Sequence, residues 1–217
     1  MDILNMTKKG NSIKTVWRQY WANKYFKKRF CIAVFALLIV LILYPFFFMY
    51  LEQRKGIQLN DLFLPYLPVK DLSLAIFICI WLNVLLFIST IAKQPQTALL
   101  FLWGYLIMNI LRIITMYAVP LEPPKDLIVL MDPISNHFYG KTFITKDLFF
   151  SGHTSTMFLL SFCFTNKALK YFSLLITMAV AIMVLIQRVH YSIDVIAALP
   201  FSYFAYKLAL LVQKKSF

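Results

Sequence analysis

The sequence is short of acid, of glycine and of charge altogether. Of 217 residues, 9 are Asp or Glu, 5 are Gly, and charged residues of both signs make up 14%. A soluble domain carries about 25% charged and roughly 45–50% apolar residues. That excludes a water-soluble enzyme, a disordered tail and a secreted disulfide scaffold. The 3 cysteines, Cys31, Cys79 and Cys163, sit inside apolar runs with no metal or redox spacing between them, so they read as small buried fillers. Internal repeats and low-complexity linkers are also missing, and no motif calls for a metal or a cofactor.

What is there is apolar: 61% hydrophobic residues and a mean hydropathy of +0.72. A helix needs about 20 apolar residues to cross a bilayer. Six runs qualify: Phe30–Leu51, Ser73–Ala92, Ala98–Val119, Leu148–Asn166, Tyr171–Gln187 and Asp194–Val212. These imply an all-α, polytopic membrane protein with six transmembrane helices. Residues 1–29 form a basic segment and residues 30–217 the membrane domain. The fourth run opens on Ser151, Gly152, His153 and Thr154, polar groups that only protein or water can satisfy at depth.

The net charge of +13, from 22 basic residues, is mostly topology. A nucleic-acid binder would spread such charge over polar surface that this chain lacks. Lys8, Lys9, Lys14, Arg18, Lys24, Lys27, Lys28 and Arg29 precede the first span and place it as a signal anchor with a cytoplasmic N-terminus. Six spans return the C-terminus to that side with Lys93, Lys167, Lys170, Lys207, Lys214 and Lys215. Ile13, Trp17, Trp21 and Tyr25 recur every four residues among these charges, as in an amphipathic helix in the headgroup plane or one that binds a partner. The longest connection, Pro120 to Asp147, contains Pro120, Pro123, Pro124 and Pro133. It cannot be one helix, and its length suits a functional cap. The stretch Pro45 to Phe48 reads as lipid-facing.

Ionisable residues at the edge of a span are costly and therefore functional candidates. Arg112 lies near the end of the third run, Asp147 and His153 at the start of the fourth, Arg188 at the end of the fifth, and His190 and Asp194 at the start of the sixth. Alternating spans put all six at one membrane face, the non-cytoplasmic one. His190 and Asp194 are spaced i, i+4 and share a helix face. A carboxylate on one imidazole nitrogen makes the other a better nucleophile or base. Ser151 is a good N-cap, and the amides after it suit a phosphate. Arg112 and Arg188 offer planar donors for phosphoryl oxygens, and His153 can protonate a leaving oxygen. This set suits metal-free phosphoryl transfer. Simpler roles compete: Arg112 as an interface anchor, Asp147 as a helix-dipole partner, Arg188 as an interface charge, and Tyr117 and Tyr191 as interfacial aromatics. His137 has no partner pattern and reads as a loop histidine.

S-G-H-T (Ser151 to Thr154) followed by H-x-x-x-D (His190 to Asp194) resembles the type 2 phosphatidic acid phosphatase superfamily, which includes haloperoxidase-type acid phosphatases. Its sphingomyelin synthase branch is more similar. There R-x-I-T-M-Y resembles R-I-I-T-M-Y from Arg112 to Tyr117. C-G-D-x-x-x-S-G-H-T resembles the stretch ending D-L-F-F-S-G-H-T from Asp147 to Thr154, and H-Y-[ST]-[IV]-D-V resembles H-Y-S-I-D-V from His190 to Val195. The resemblance covers roughly residues 30–212. It implies a phosphatidic acid phosphatase-like helical bundle in which His190 attacks phosphorus, Asp194 orients it, His153 protonates the leaving group and Arg112 holds the phosphate. Asp147 would sit near the reacting centre, and Ser151, Gly152 and Tyr117 come with the matched motifs. Thr145 and Lys146 depart from the family's Cys and Gly. The phosphatases' Lys-containing first motif and S-R-x5-H spacing are absent.

The expectation is a membrane enzyme that moves a phospholipid headgroup to a lipid alcohol, with sphingolipid chemistry implied by the branch. Its partners would be phospholipid and lipid-alcohol substrates in the bilayer, not nucleic acid. A homo-oligomer stays open. Two alternatives stand beside it: a lipid phosphatase or phospholipase C-like hydrolase using water, and a non-catalytic lipid-binding scaffold.

Overall fold

The computed structural model describes residues 12–130 and 144–214; Lys8, Lys9, Pro133, His137 and Lys215 lie outside them. Among the described residues, regular structure is helical apart from one bridge between Ile57 and Leu121. A short amphipathic helix, α1 (Ile13–Ala22), leads into α2 (Lys24–Gln53). A 3-10 turn (Leu64–Tyr66) precedes α3 (Ser73–Lys93) and α4 (Pro95–Ala118). Then come α5 (Gly152–Cys163), α6 (Lys167–Ile186) and α7 (Ser192–Lys214).

Five of these, α2, α3, α4, α6 and α7, are long and apolar enough to cross a membrane. The fourth expected span is not among them. Instead of running from Leu148 to Asn166, α5 has 12 residues and rises about 18 Å, well short of the roughly 30 Å hydrocarbon core. Ser151 caps its start, and the chain before it, from Ile144, is irregular. A short helix with polar ends is tolerated there because protein surrounds it: α5 packs against α3, α4, α6 and α7, and most of its side chains are buried.

The centre of the bundle is drawn tight by small residues. A side chain at Gly104 would put its Cβ 2.9 Å from Leu159 Cδ1 and 3.7 Å from the Ala209 Cβ, so glycine is what allows α4 to press on α5 and α7. Small hydroxyls join α5 to α6 and to α7, as is common within membranes. Ser161 Oγ lies 2.6 Å from Ser173 Oγ, and Ser202 Oγ donates to the Ser155 carbonyl at 3.0 Å.

Peripheral α2 packs on α4 and α1, with only 11% of its most apolar stretch buried. Its start is set by Asn23, whose side chain accepts from the amides of Tyr25 and Phe26 at 2.9 and 3.2 Å. The spanning helix therefore begins at Lys24, earlier than the expected boundary at residue 30. The Phe stripe divides: Phe46 is exposed, whereas Phe48 is buried, because the helix turns one towards lipid and the other towards α4. On α1, Val16 and Tyr20 bury against Phe26 and Leu99, while Ile13 and Trp21 face outward. Trp17 Nε1 donates to the Ala92 carbonyl at 2.8 Å, and Gln213 Nε2 to the Gln96 carbonyl at 2.8 Å. These contacts gather α1, the α3–α4 turn and the end of α7 at one end of the bundle. The loops 54–72, 119–130, 144–151 and 187–191 converge at the other.

Replacing Gly104 by Val should overpack this centre and destabilise the protein by about 1–3 kcal/mol. The measurement is the thermal unfolding midpoint in detergent, which should drop, with Gly104→Ala dropping less.

Candidate active site

The site is built where the N-termini of α5 and α7 meet. The Ser151 amide donates to the Asp194 main-chain carbonyl at 3.1 Å, and the Ser151 side chain caps α5 by accepting from the Thr154 amide at 3.4 Å. Ser151 is fully buried, so it holds the corner rather than reaching outward. Gly152 follows, with Arg112 packed on it. A Cβ at residue 152 would lie 2.6 Å from Arg112 Cζ. Only a residue with no side chain lets the guanidinium rest against this helix start, which explains the glycine of S-G-H-T in steric terms.

Arg112 is buried. Its Nε donates to the Phe150 carbonyl at 3.3 Å, and its Nη2 donates to the Asp147 carboxylate in an ion pair. Asp147 is therefore more than a dipole partner for α5; it orients the arginine. The side chain of Thr115, one turn along α4, donates to the Phe149 carbonyl at 3.1 Å and ties the same strand of loop to α4.

His190 is 1% exposed and Asp194 fully buried. Nδ1 of the imidazole lies 3.5 Å from Asp194 Oδ2, which also accepts from the Tyr191 amide at 3.0 Å. The rings of His153 and His190 are 6.4 Å apart, edge to face. Arg112, Asp147, Gly152, His153 and His190 all line one cavity of about 360 Å³. Its far walls are apolar, with Leu41 and Phe48 from α2 and Ile80 and Val84 from α3.

Two expected site residues stand elsewhere. Arg188 does not line the cavity; its φ is 60° and its Nη2 donates to the Leu67 carbonyl at 2.9 Å. The turn that ends α6 swings the side chain towards the α2–α3 loop, so it serves that connection. Tyr117 is 61% exposed. It stacks on Tyr50 with ring centroids 6.4 Å apart and carries Arg54 over its face, a surface arrangement at the bundle end. Its position in α4, five residues beyond Arg112, points it away from the cavity.

Further residues support the site, and Asp61 among them belongs to no motif. Asp61, in the α2–α3 loop, accepts from the Ser192 amide at 2.6 Å and its hydroxyl at 2.9 Å, and from the Phe63 and Leu64 amides at 2.8 and 3.0 Å. It caps α7 from outside, two residues after His190. Burial pushes the Asp61 carboxyl up, but the Leu64, Ser192 and Phe63 amides together with the Ser192 hydroxyl outweigh it and hold it below the usual range. Tyr191 is buried, not interfacial; its hydroxyl accepts from the Leu59 amide at 3.2 Å and donates to the Glu122 carbonyl at 2.9 Å. Lys146 Nζ donates to Glu122 at 2.9 Å and to the Arg54 carbonyl at 2.7 Å, while Glu52 accepts from the amides of Thr145 and Lys146. The residues that depart from the synthase pattern are thus loop ties here. An acid spaced for Ser192 across 131 residues leaves no local pattern in a sequence.

Comparison with known proteins adds one match. Residues 146–210 fit the family model described as the PAP2 superfamily C-terminal region. That stretch runs from the residue before Asp147 to near the end of α7 and contains His153, His190 and Asp194. The match supports the PAP2 superfamily. With the five apolar helices, it supports a multi-pass membrane protein of the phosphatase and phosphotransferase kind. No curated protein and no solved structure matches the chain.

Two predictions follow from this geometry. In Gly152→Ala the guanidinium must shift by an ångström or more, and a misplacement of that size can lower turnover about 100-fold; phosphoester turnover should fall while the unfolding midpoint changes little. Because the folded Asp61 carboxyl lies below its unfolded value of about 3.9, its contribution to stability is present above that value and is lost as pH falls through the folded one. Thermal midpoints measured from neutral to acid pH should show a shallower acid decline in Asp61→Asn than in the unsubstituted protein, starting from a lower midpoint at neutral pH.

Proposed function

We propose that the protein is a multi-pass membrane enzyme that transfers the phospho-headgroup of a phospholipid through a phosphohistidine at His190. The observation that carries the reading is the cavity that holds Arg112, His153 and His190 together with Asp194 directly behind His190. With Nδ1 turned to Asp194, the opposite ring edge is left to meet phosphorus. The Nε2 lone pair forms the N–P bond as the bond to the leaving oxygen breaks. His153 gives that oxygen its proton. Arg112 and the positive N-terminal end of α5 hold the non-bridging oxygens. In the second half, an acceptor hydroxyl attacks phosphorus, His153 takes the hydroxyl proton, and the N–P bond breaks. Neither half-step requires a metal.

The acceptor in this reading is a lipid alcohol, as in sphingomyelin synthases, with the reacting face non-cytoplasmic and both termini cytoplasmic. Arg188 and Tyr117 have no part in it. Water is the competing acceptor, favoured by the match being at the level of the superfamily rather than of the synthase branch. That outcome would make the protein a lipid phosphatase or phospholipase C-like hydrolase.

Purified protein in vesicles of headgroup-labelled phospholipid tests both points. Turnover should be lost in His190→Ala, and a phosphorylated His190 peptide should accumulate when the acceptor is withheld. Unchanged turnover in His190→Ala would sink the mechanism. Label appearing in a lipid product only when ceramide or diacylglycerol is added establishes transfer; free headgroup released without either establishes hydrolysis.

A further inference from the structure

The cavity continues inward from the charged cluster along one face of α4, where Tyr105, Asn109 and Arg112 follow at i, i+4 and i+7. Asn109 is 1% exposed in the middle of an apolar helix. Its Nδ2 donates to the Tyr105 carbonyl at 2.7 Å, which fixes which end of the amide is nitrogen. Its Oδ1 accepts from the Tyr44 hydroxyl of α2 at 2.6 Å. A primary amide has two N–H donors, and among the described residues only one is used. A buried donor left without an acceptor costs about 1–3 kcal/mol, yet this one is held on the wall of an open cavity.

Its depth says what it can meet. Asn109 precedes Arg112 by three residues, so it lies nearly one helical turn, about 5 Å, further into the bundle. A ligand whose phosphate rests on Arg112 would place there the atoms a few bonds from phosphorus. In phospholipids that position carries a carbonyl, as an ester in glycerolipids and as an amide in sphingolipids. The cavity of about 360 Å³ is at the low end of the roughly 300–1,000 Å³ of small-molecule sites. It can take a headgroup and backbone, but not the acyl chains. These have an exit: α2 and α3 both pack on α4, barely touch each other, and each supplies apolar wall to the cavity.

We infer that Asn109, oriented by Tyr44 and Tyr105, is a specificity-determining residue that donates to the backbone carbonyl of the lipid while its chains leave between α2 and α3. This rests on the phosphoester reading of the site and assigns it a second polar contact. A neutral amide suits a neutral carbonyl at that depth, where a charged donor would be costly. The hydrogen bond between Tyr44 and Asn109 also helps to join α2 to α4, so an effect on stability alone would not establish recognition.

The experiment is equilibrium binding to the full chain in detergent micelles, using three probes: diacyl phosphatidic acid, its dialkyl ether analogue, and ceramide 1-phosphate. The ether analogue has the same phosphate and chains but no carbonyl. The unsubstituted protein should bind at least one carbonyl-bearing lipid roughly tenfold more tightly than the ether. The stronger of diacyl and ceramide phosphate identifies ester or amide as the natural acceptor. Asn109→Leu, which keeps the γ-branched shape but has no donor, should remove the preference while leaving ether binding unchanged, and Tyr44→Phe should reduce it. Equal affinity of the unsubstituted protein for all three lipids overturns the inference but leaves the phosphoester reading intact. A preference that persists in Asn109→Leu overturns it too, as does equal weakening of all three lipids, which marks a structural role. Failure of the unsubstituted protein to bind any of them removes both.

Discussion

The N-terminus of α5 lies inside the bundle, and a helix that starts in a protein interior must have its unpaired amides satisfied from within. That constraint accounts for much of what surrounds it. Ser151 caps from one side and donates its own amide to the Asp194 carbonyl. Gly152 then offers a bare surface on which the guanidinium of Arg112 rests, kept in place by Asp147 and the Phe150 carbonyl. The positive end of the helix, an arginine steadied by Asp147 and two imidazoles face one small cavity, a set of donors suited to an anion.

A bilayer sharpens the same arrangement. The outer helices meet lipid with apolar side chains such as Phe35, Ile42 and Leu74, all more than half exposed. The polar residues are turned inward, where neighbours satisfy them. The helix with the most polar start is shorter than every spanning helix and the most enclosed, because protein and not hydrocarbon surrounds it. α2 is the exception to the tight packing. It lies at the edge with little of its surface buried, and its contribution to the cavity is a wall that borders lipid.

Much of this was legible in the chain. Long apolar runs gave the spanning helices, since a membrane helix declares itself by hydropathy alone. Short motifs drew attention to His153, His190 and Asp194, but the helix face expected of the last two is not what joins them: α7 begins at Ser192, and His190 meets Asp194 from the loop just before it. Arg112 and Asp147 were read as separate features, and their pairing became visible only when the loop returned to α4. The length of α5 was overread because hydropathy does not see that polar residues at both ends are protein-bound. Arg188 stands out as an ionisable residue at a span edge and Tyr117 as the last residue of R-I-I-T-M-Y, but the turn after α6 and the rotation of α4 send both side chains elsewhere. Asp61, Tyr44 and Asn109 had no signal at all. Their partners are far away along the chain, and nothing local distinguishes them from a loop acid or an ordinary helix polar group.

Asp61 also bears on how such a protein can be divided. The family match begins at Lys146, which suggests a self-contained C-terminal third. Yet the first turn of α7 is closed by a carboxylate from the loop after α2, the arginine of the cavity comes from α4, and the buried tyrosine beside His190 is anchored to Leu59 and Glu122. The C-terminal third by itself would carry the histidines without the parts that hold them. The connection from Arg54 to Leu72 is thus a seemingly free loop held to the same constraint as the helices.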